Sequence, residues 1–194
     1  MNITTIGIDL AKLVFQIHGV DARGKACLRR QLKRTEMMKF FTKLQLCQIG
    51  MEACGSAHHW ARQLTGLGHT VKLMAPQFVK PYVKTNKNDA ADAEAIREAV
   101  SRPNMRFVPA KNTVQLSLLS LHRARQKFVA ERTAQGNQIR GLMAEFGLVI
   151  NKGLASLERR VPEVLEDADN GLPAQSRALC ARLFRASAGA RSAS

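Results

Sequence analysis

The change of hydrophobic period along the first hundred residues constrains this chain more than any other feature. Residues 4–10 form a short run rich in β-branched side chains, residues 13–20 a second and residues 25–32 a third, with Asp21-Ala22-Arg23-Gly24 as a turn between the last two. These predict a three-stranded antiparallel meander. Beyond it, Thr35 is placed to cap a helix through Leu44, residues 47–51 read as a buried strand, and Ser56 is placed to cap a helix that stops near Gly68. Residues 71–74 read as a fifth strand and 76–83 as a short helical or irregular link. Asn88 is placed to cap a helix from Asp89 to about Val100, ended by Ser101-Arg102-Pro103-Asn104.

Antiparallel strands followed by strands separated by helices predict an α/β fold, a five-stranded mixed sheet with flanking helices in ribonuclease H-like order. We expect that domain to occupy residues 1–102. Past Pro103 and Pro109, residues 113–146 contain no proline and place Leu118, Leu121, Phe128, Ile139, Leu142 and Met143 at mostly helical intervals. From Arg102 to Arg140, both included, there are eight basic residues and one acid, whereas Ser156 to Asp169 carries five acids. Opposite charge predicts a coiled-coil-like helical hairpin over residues 113–169, with Pro162 disturbing its return arm. Residues 170–194, rich in Ala, Ser and Arg, are expected to be a poorly ordered tail.

The chain has 30 Lys plus Arg against 15 Asp plus Glu, a net charge of +15, which favours a polyanion as partner and makes nucleic acid the first expectation. No apolar stretch is long enough to span a membrane and the start lacks a secretory pattern, so a cytoplasmic location is expected. Cys27, Cys47, Cys54 and Cys180 show neither zinc-ribbon nor disulfide-scaffold spacing. Cys54 and His58 stand one helical turn apart without a further zinc partner, and Ser56 reads as a helix cap rather than a nucleophile.

Acids are scarce where the strands are. Residues 1–88 hold only Asp9, Asp21, Glu36 and Glu52 against fourteen Lys and Arg. Asp21 begins a turn, and Glu36 sits in a helix's first turn, where a negative charge suits the dipole. Asp9 and Glu52 instead end two similar apolar runs, Ile6-Gly7-Ile8-Asp9 and Ile49-Gly50-Met51-Glu52, and open sheets gather functional groups at strand ends. Asp89 and Asp92, three apart on a helix, share a face among small alanines. They repel each other there unless a divalent cation binds. Four carboxylates suit Mg²⁺ or Mn²⁺, which prefer hard oxygen ligands, and two such ions clamp the attacking and leaving oxygens of a phosphodiester.

At Gly7-Ile8-Asp9-Leu10-Ala11-Lys12, Gly50-Met51-Glu52-Ala53-Cys54-Gly55 and the run from Lys84 through Asn88-Asp89-Ala90-Ala91-Asp92-Ala93, the sequence resembles the insertion-sequence family 110 transposases. The resemblance covers about residues 1–165. It implies a RuvC-like ribonuclease H fold, Mg²⁺-dependent DNA strand cleavage and transfer, and work with an element-encoded guide RNA. It also implies that Asp9, Glu52, Asp89 and Asp92 are the catalytic metal ligands. Lys12, Lys84 and Lys87 are expected to meet phosphate beside the site, and Arg123, Arg125, Lys127 and Arg132 along the basic helix, whose apolar stripe suits a homo-oligomer. Full-length members carry a nucleophilic serine in a C-terminal domain, so a chain of 194 residues is expected to be an N-terminal part that does not complete strand transfer alone. Two alternatives stand beside this: a non-catalytic nucleic-acid-binding remnant, and a fragment of a sugar-kinase or actin-like ATPase. The second expects a Gly-rich turn where Leu10-Ala11-Lys12 stands.

Overall fold

A computed structural model describes residues 2–83 and 89–189, which belong to two compact units, residues 1–115 and 116–194. In the first unit, β1 (Thr5–Leu10), β2 (Val14–Val20), β3 (Ala26–Lys33), β4 (Gln48–Glu52), β5 (Thr70–Met74) and β6 (Phe107–Val108) make one sheet in the order β3-β2-β1-β4-β5-β6. The β1–β2 and β2–β3 pairs are antiparallel, and β4 runs parallel to both β1 and β5. A meander on one side and helix-connected parallel strands on the other is the ribonuclease H-like arrangement that the order of elements predicts.

The sixth strand is a departure from the five expected. β6 pairs antiparallel with β5 through Leu73↔Val108 and Met74↔Phe107. Two residues carry no readable period, so only the pairing reveals this strand.

Alternation along each strand builds the layers. Ile6, Ile8, Phe15, Ile17, Ile49, Met51 and Leu73 are buried together on one face with Met37 and Phe41 of α1 (Met37–Thr42) and Trp60 and Leu64 of α2 (Ala57–Gly66). Each large apolar side chain buried in this way contributes roughly 1.5–3 kcal/mol. Met74, from the other face, joins Val79 of α3 (Pro76–Val79) and Ala95, Ile96, Ala99 and Val100 of α4 (Asp89–Val100). The sheet is therefore covered on both sides.

Local details refine the expected caps. The β2–β3 turn forms as expected, with the Asp21 carboxylate accepting the Arg23 and Lys25 N–H groups at 2.9 and 3.0 Å and Gly24 at φ +78°. Thr35 does not cap α1; a 3-10 turn, Arg34–Glu36, leads into it, and the Glu36 carboxylate accepts the Lys33 N–H at 2.8 Å. Nor does the Ser56 side chain cap α2. Its backbone is left-handed at φ 67°, so the hydroxyl is not aimed along the helix as an extended N-cap would aim it.

In the second unit the long helix forms as expected, as α5 (Thr113–Ala144), whose first turn lies in the first unit, followed by α6 (Leu154–Glu166) with Pro162 inside it. Ile139 and Met143 from the end of α5 pack with Leu157, Val161 and Val164 of α6. Where the composition suggests a poorly ordered tail, Ala174–Gly189 forms a seventh helix, α7, that buries Cys180 in the same cluster. Alanine is the best helix former, and Cys180, Leu183 and Phe184 give the segment an apolar face to pack. Arg177 is the anchor. Its guanidinium donates to the Val164 and Leu165 carbonyls at 2.9 and 2.7 Å, which end α6, and to Asn170 Oδ1 at 2.9 Å.

Candidate active site

Two glycines place the carboxylates. β1 and β4 pair in parallel with Gly7 opposite Gly50 and Ile8 opposite Met51, so Asp9 and Glu52 follow side by side at the ends of neighbouring strands. Because side chains alternate, Asp9 lies on the face of Gly7 and Glu52 on the face of Gly50, both opposite the main apolar core. That face belongs to α4. A Cβ at Gly7 would overlap the Ala93 carbonyl oxygen and come within 2.5 Å of the Arg97 nitrogen, and one at Gly50 would lie 2.7 Å from Val100 Cβ. Gln48, the first residue of β4, donates its Nε2–H to the Val100 carbonyl at 3.1 Å, so α4 ends at the start of β4 and its beginning lies toward the strand ends where Asp9 and Glu52 stand.

Asp92, in the first turns of α4, lines a cleft of about 480 Å³ with Glu52, Gln77, Val79 and Lys80. Asp9, Glu52 and Asp92 are all half-buried. Cys54, two residues past Glu52, senses both strand-end acids. Burial is the main cause that pushes its thiol pKa up, followed by the Glu52 charge and, more weakly, by Asp9, while a hydrogen bond to its own backbone acts the other way.

Asp89 is the first residue of α4, but its side chain lies outside the described residues, as do Lys84, Lys87 and Asn88. Among the described residues no three His, Cys, Asp or Glu side chains form a group able to hold a metal ion. Glu52 and Asp92 share the cleft, and Asp9 stands beside Glu52 on the neighbouring strand.

Lys12 is exposed in the β1–β2 connection, where its carbonyl accepts Arg34 at 3.3 Å. Arg123, Arg125 and Lys127 are exposed and Arg132 half-exposed on α5, in the second unit. Lys127 pairs with Glu131 at 3.6 Å. Sequence reasoning missed Gln77 and Lys80, which line the carboxylate cleft. Their position just after β5, at the strand-end side of a parallel pair, is the signal that would have found them.

The histidine beside Cys54 has other work. His58 Nδ1 accepts the Lys111 N–H at 3.1 Å while Arg62 donates to the Lys111 carbonyl at 2.6 Å, so α2 fastens the segment that leads to α5. His18, buried on β2, faces Glu94 at 3.9 Å, with Arg29 and Arg97 nearby. Burial lowers both pKa values. Lys111 and Arg62 lower that of His58 further; Glu94 partly opposes the shift at His18, and Arg29 and Arg97 reinforce it.

A pH dependence follows. Below the ordinary histidine pKa of 6.5 the unfolded chain binds more protons than the folded one. Stability is therefore fully present above that pH and falls as the pH drops through the folded-state values. The urea midpoint read from Trp60, the single tryptophan, should be lower at about pH 5.5 than at about pH 7.5, and His18→Gln should shrink the difference. An unchanged midpoint between the two would contradict the assignment.

A ribonuclease H-like sheet with carboxylates at the ends of its central strands and on the facing helix defines the class of domain. The chain belongs to the insertion-sequence 110 family of Asp-Glu-Asp-Asp transposases, whose model, described as "Transposase", matches residues 6–147. It is 54% identical to a probable family 20 transposase of Pseudomonas aeruginosa over 90% of this chain and 52% of that one. It is 44% identical to the transposase for insertion sequence element IS1328 of Yersinia enterocolitica, over 84% of this chain and 49% of that one. It is 43% identical to the transposase for insertion sequence element IS1111A of Coxiella burnetii, over 88% and 47%. The chain spans about half the length of these relatives. Among solved structures it is similar to T. thermophilus RuvC in complex with Holliday junction substrate, at 10% identity and a TM-score of 0.39, over 56% of this chain and 100% of that one. Membership of the transposase family sets aside the sugar-kinase alternative. Among the described residues, no helix is long and apolar enough to cross a membrane.

Proposed function

We propose that this chain supplies the metal-dependent, DNA-handling part of a transposase, with Asp9, Glu52, Asp89 and Asp92 as the ligand set for Mg²⁺ or Mn²⁺. The observation that carries the reading is the convergence of scarce acids in a chain of net charge +15: Asp9 and Glu52 end adjacent strands on one face, and Asp92 shares the cleft of Glu52. The donors are carboxylate oxygens, which fit a hard divalent cation and not a soft one. Such an ion, when bound, stabilises charge on a phosphodiester oxygen and makes water or a hydroxyl a better nucleophile. The chain's own part is to hold Asp9, Glu52 and Asp92 on strands and a helix, with Lys80 lining the cleft to meet phosphate; Lys84 and Lys87 are assigned the same role from their place in the sequence. To the matched half of the relatives we assign metal and phosphate handling rather than complete strand transfer.

Mg²⁺ or Mn²⁺ should raise the melting temperature, with a stabilisation of about 2.7 kcal/mol at a hundred times the dissociation constant. Asp9→Ala or Glu52→Ala should remove most of that gain. Equal shifts in variant and parent would leave the non-catalytic binding reading in its place. DNA binding should weaken steeply with salt, because Lys12, Arg123, Arg125, Lys127 and Arg132 would displace counterions. Salt-independent binding would remove these residues as phosphate contacts.

For the remaining partners we propose an element-encoded RNA on the same basic helix, and a second copy of the chain on its apolar stripe. Val114, Leu118, Leu121 and Phe128 follow alternating spacings of four, three and seven residues and are all more than half exposed. Leu121→Glu should dissociate the assembly in light scattering.

A further inference from the structure

Beside the carboxylate cleft, and sharing Gln77 with it, lies a second cleft of about 260 Å³. One wall is aromatic. Phe78 of α3 and Tyr82 of the following 3-10 turn, Lys80–Tyr82, are four residues apart and both half-buried. Arg102, Asn104 and Arg106, from the segment between α4 and β6, line the same cleft and give it basic and polar groups. Glu98 holds Arg102 at 2.5 Å, and the guanidinium lies 5.4 Å from the Tyr82 ring centroid. Among the described residues, neither a ring nor a cation stacks on Phe78.

A half-exposed ring in one cleft with two arginines and an amide suits a flat, hydrogen-bonding ring system attached to an anionic chain. An apolar ligand would make no use of the exposed Asn104 and Arg106, and a cation would meet like charge. Bases of any identity stack on aromatic side chains, and arginine serves the flanking phosphates. We propose that this cleft takes one nucleobase of a single-stranded DNA segment, stacked on Phe78 with its phosphates on Arg102 and Arg106. The shared Gln77 wall then sets the next phosphodiester toward Glu52 and Asp92. This rests on the metal-dependent DNA reading above and adds to it a site that holds one strand unpaired at the point of attack.

The test uses the 194-residue chain and single-stranded DNA carrying 2-aminopurine, in buffer without divalent metal. Binding should quench the 2-aminopurine fluorescence. Phe78→Ala should abolish the quench and weaken binding by about five- to a hundredfold, the range for loss of one stacked base. Phe78→Trp should restore both, which separates stacking from a folding defect, and Arg106→Ala should weaken binding while the quench persists. Equal quenching and affinity in Phe78→Ala and the parent would overturn the proposal. So would the same Phe78-dependent quench on RNA bound more tightly than DNA. The metal-induced rise in melting temperature should be unchanged in Phe78→Ala. If that rise is missing in the parent while the Phe78-dependent quench remains, the carboxylate reading fails and the base site stands.

Discussion

Gly7→Ala is expected to destabilise the first unit by about 3 kcal/mol or more, at or above the upper end for overpacking a core, because what it meets cannot step aside. The new Cβ would fall on the Ala93 carbonyl oxygen and close to the Arg97 backbone nitrogen, both part of the α4 main chain. A rotamer change relieves neither contact. The helix must lift from β1, which opens the layer of Ala95, Ile96, Ala99 and Val100 against the sheet and moves Asp92 away from Glu52. Urea unfolding followed through Trp60, which lies in this unit, measures the effect. Gly141→Ala is the matched control. It lies in α5, in the second unit, with nothing within 4 Å of its Cβ position, so alanine there should stabilise that helix by about 0.5–1 kcal/mol through helix propensity alone, seen as slower hydrogen exchange in α5, and leave the Trp60 midpoint unchanged. A Gly7→Ala protein with an unchanged midpoint would refute the close packing of α4 on β1 and the site geometry built on it.

The second large effect is expected in the other unit. Arg177→Ala should release α7 from the end of α6, with a loss of about 2–3 kcal/mol in the local stability of that helix. The half-buried guanidinium ties two carbonyls at the end of α6 to Asn170, so its removal takes the donor from the Leu165 carbonyl and leaves the Val164 carbonyl and Asn170 Oδ1 with one donor each, Asn170 Nδ2 and the Leu172 N–H. A positive charge at a helix C-terminus adds a favourable dipole interaction. Hydrogen exchange across Ala174–Gly189 should rise in the variant, while the Trp60 unfolding midpoint stays as it was. Arg177→Lys should recover only part of the protection, since an ammonium cannot fork between separate acceptors. Full protection of α7 without Arg177 would show that Cys180 and its apolar neighbours suffice to dock it.

These two residues differ in how visible they were. Gly7 sits inside a motif whose strand character was legible from β-branched neighbours, and Asp9 was legible as the polar end of that run. Arg177 lies in a segment whose composition suggested disorder. Its partners on α6 are 12 and 13 residues away, in contacts that no local window contains. Ser56 erred in the opposite direction: its residue type is favoured at a cap, but the turn after Glu52 forces it into the left-handed region, where the side chain cannot do that work. Gln77 and Lys80 are not legible in the local sequence because their closeness to Glu52 is a property of neighbouring strands and not of spacing along the chain.

By itself, the sequence determined the order of strands and helices in the first unit, the position of Asp9 and Glu52 at strand ends, the helix that begins at Asp89, and the length of α5. Each of these is written in hydrophobic period or in local turn and cap chemistry, which act within a few residues. Only the tertiary structure decided that Asp9 and Glu52 share a face under α4, that Phe107 and Val108 complete the sheet, and that α7 folds onto α6. Those outcomes depend on strand register, on the space left by Gly7 and Gly50, and on hydrogen bonds between distant segments, all of which exist only once the chain has closed on itself.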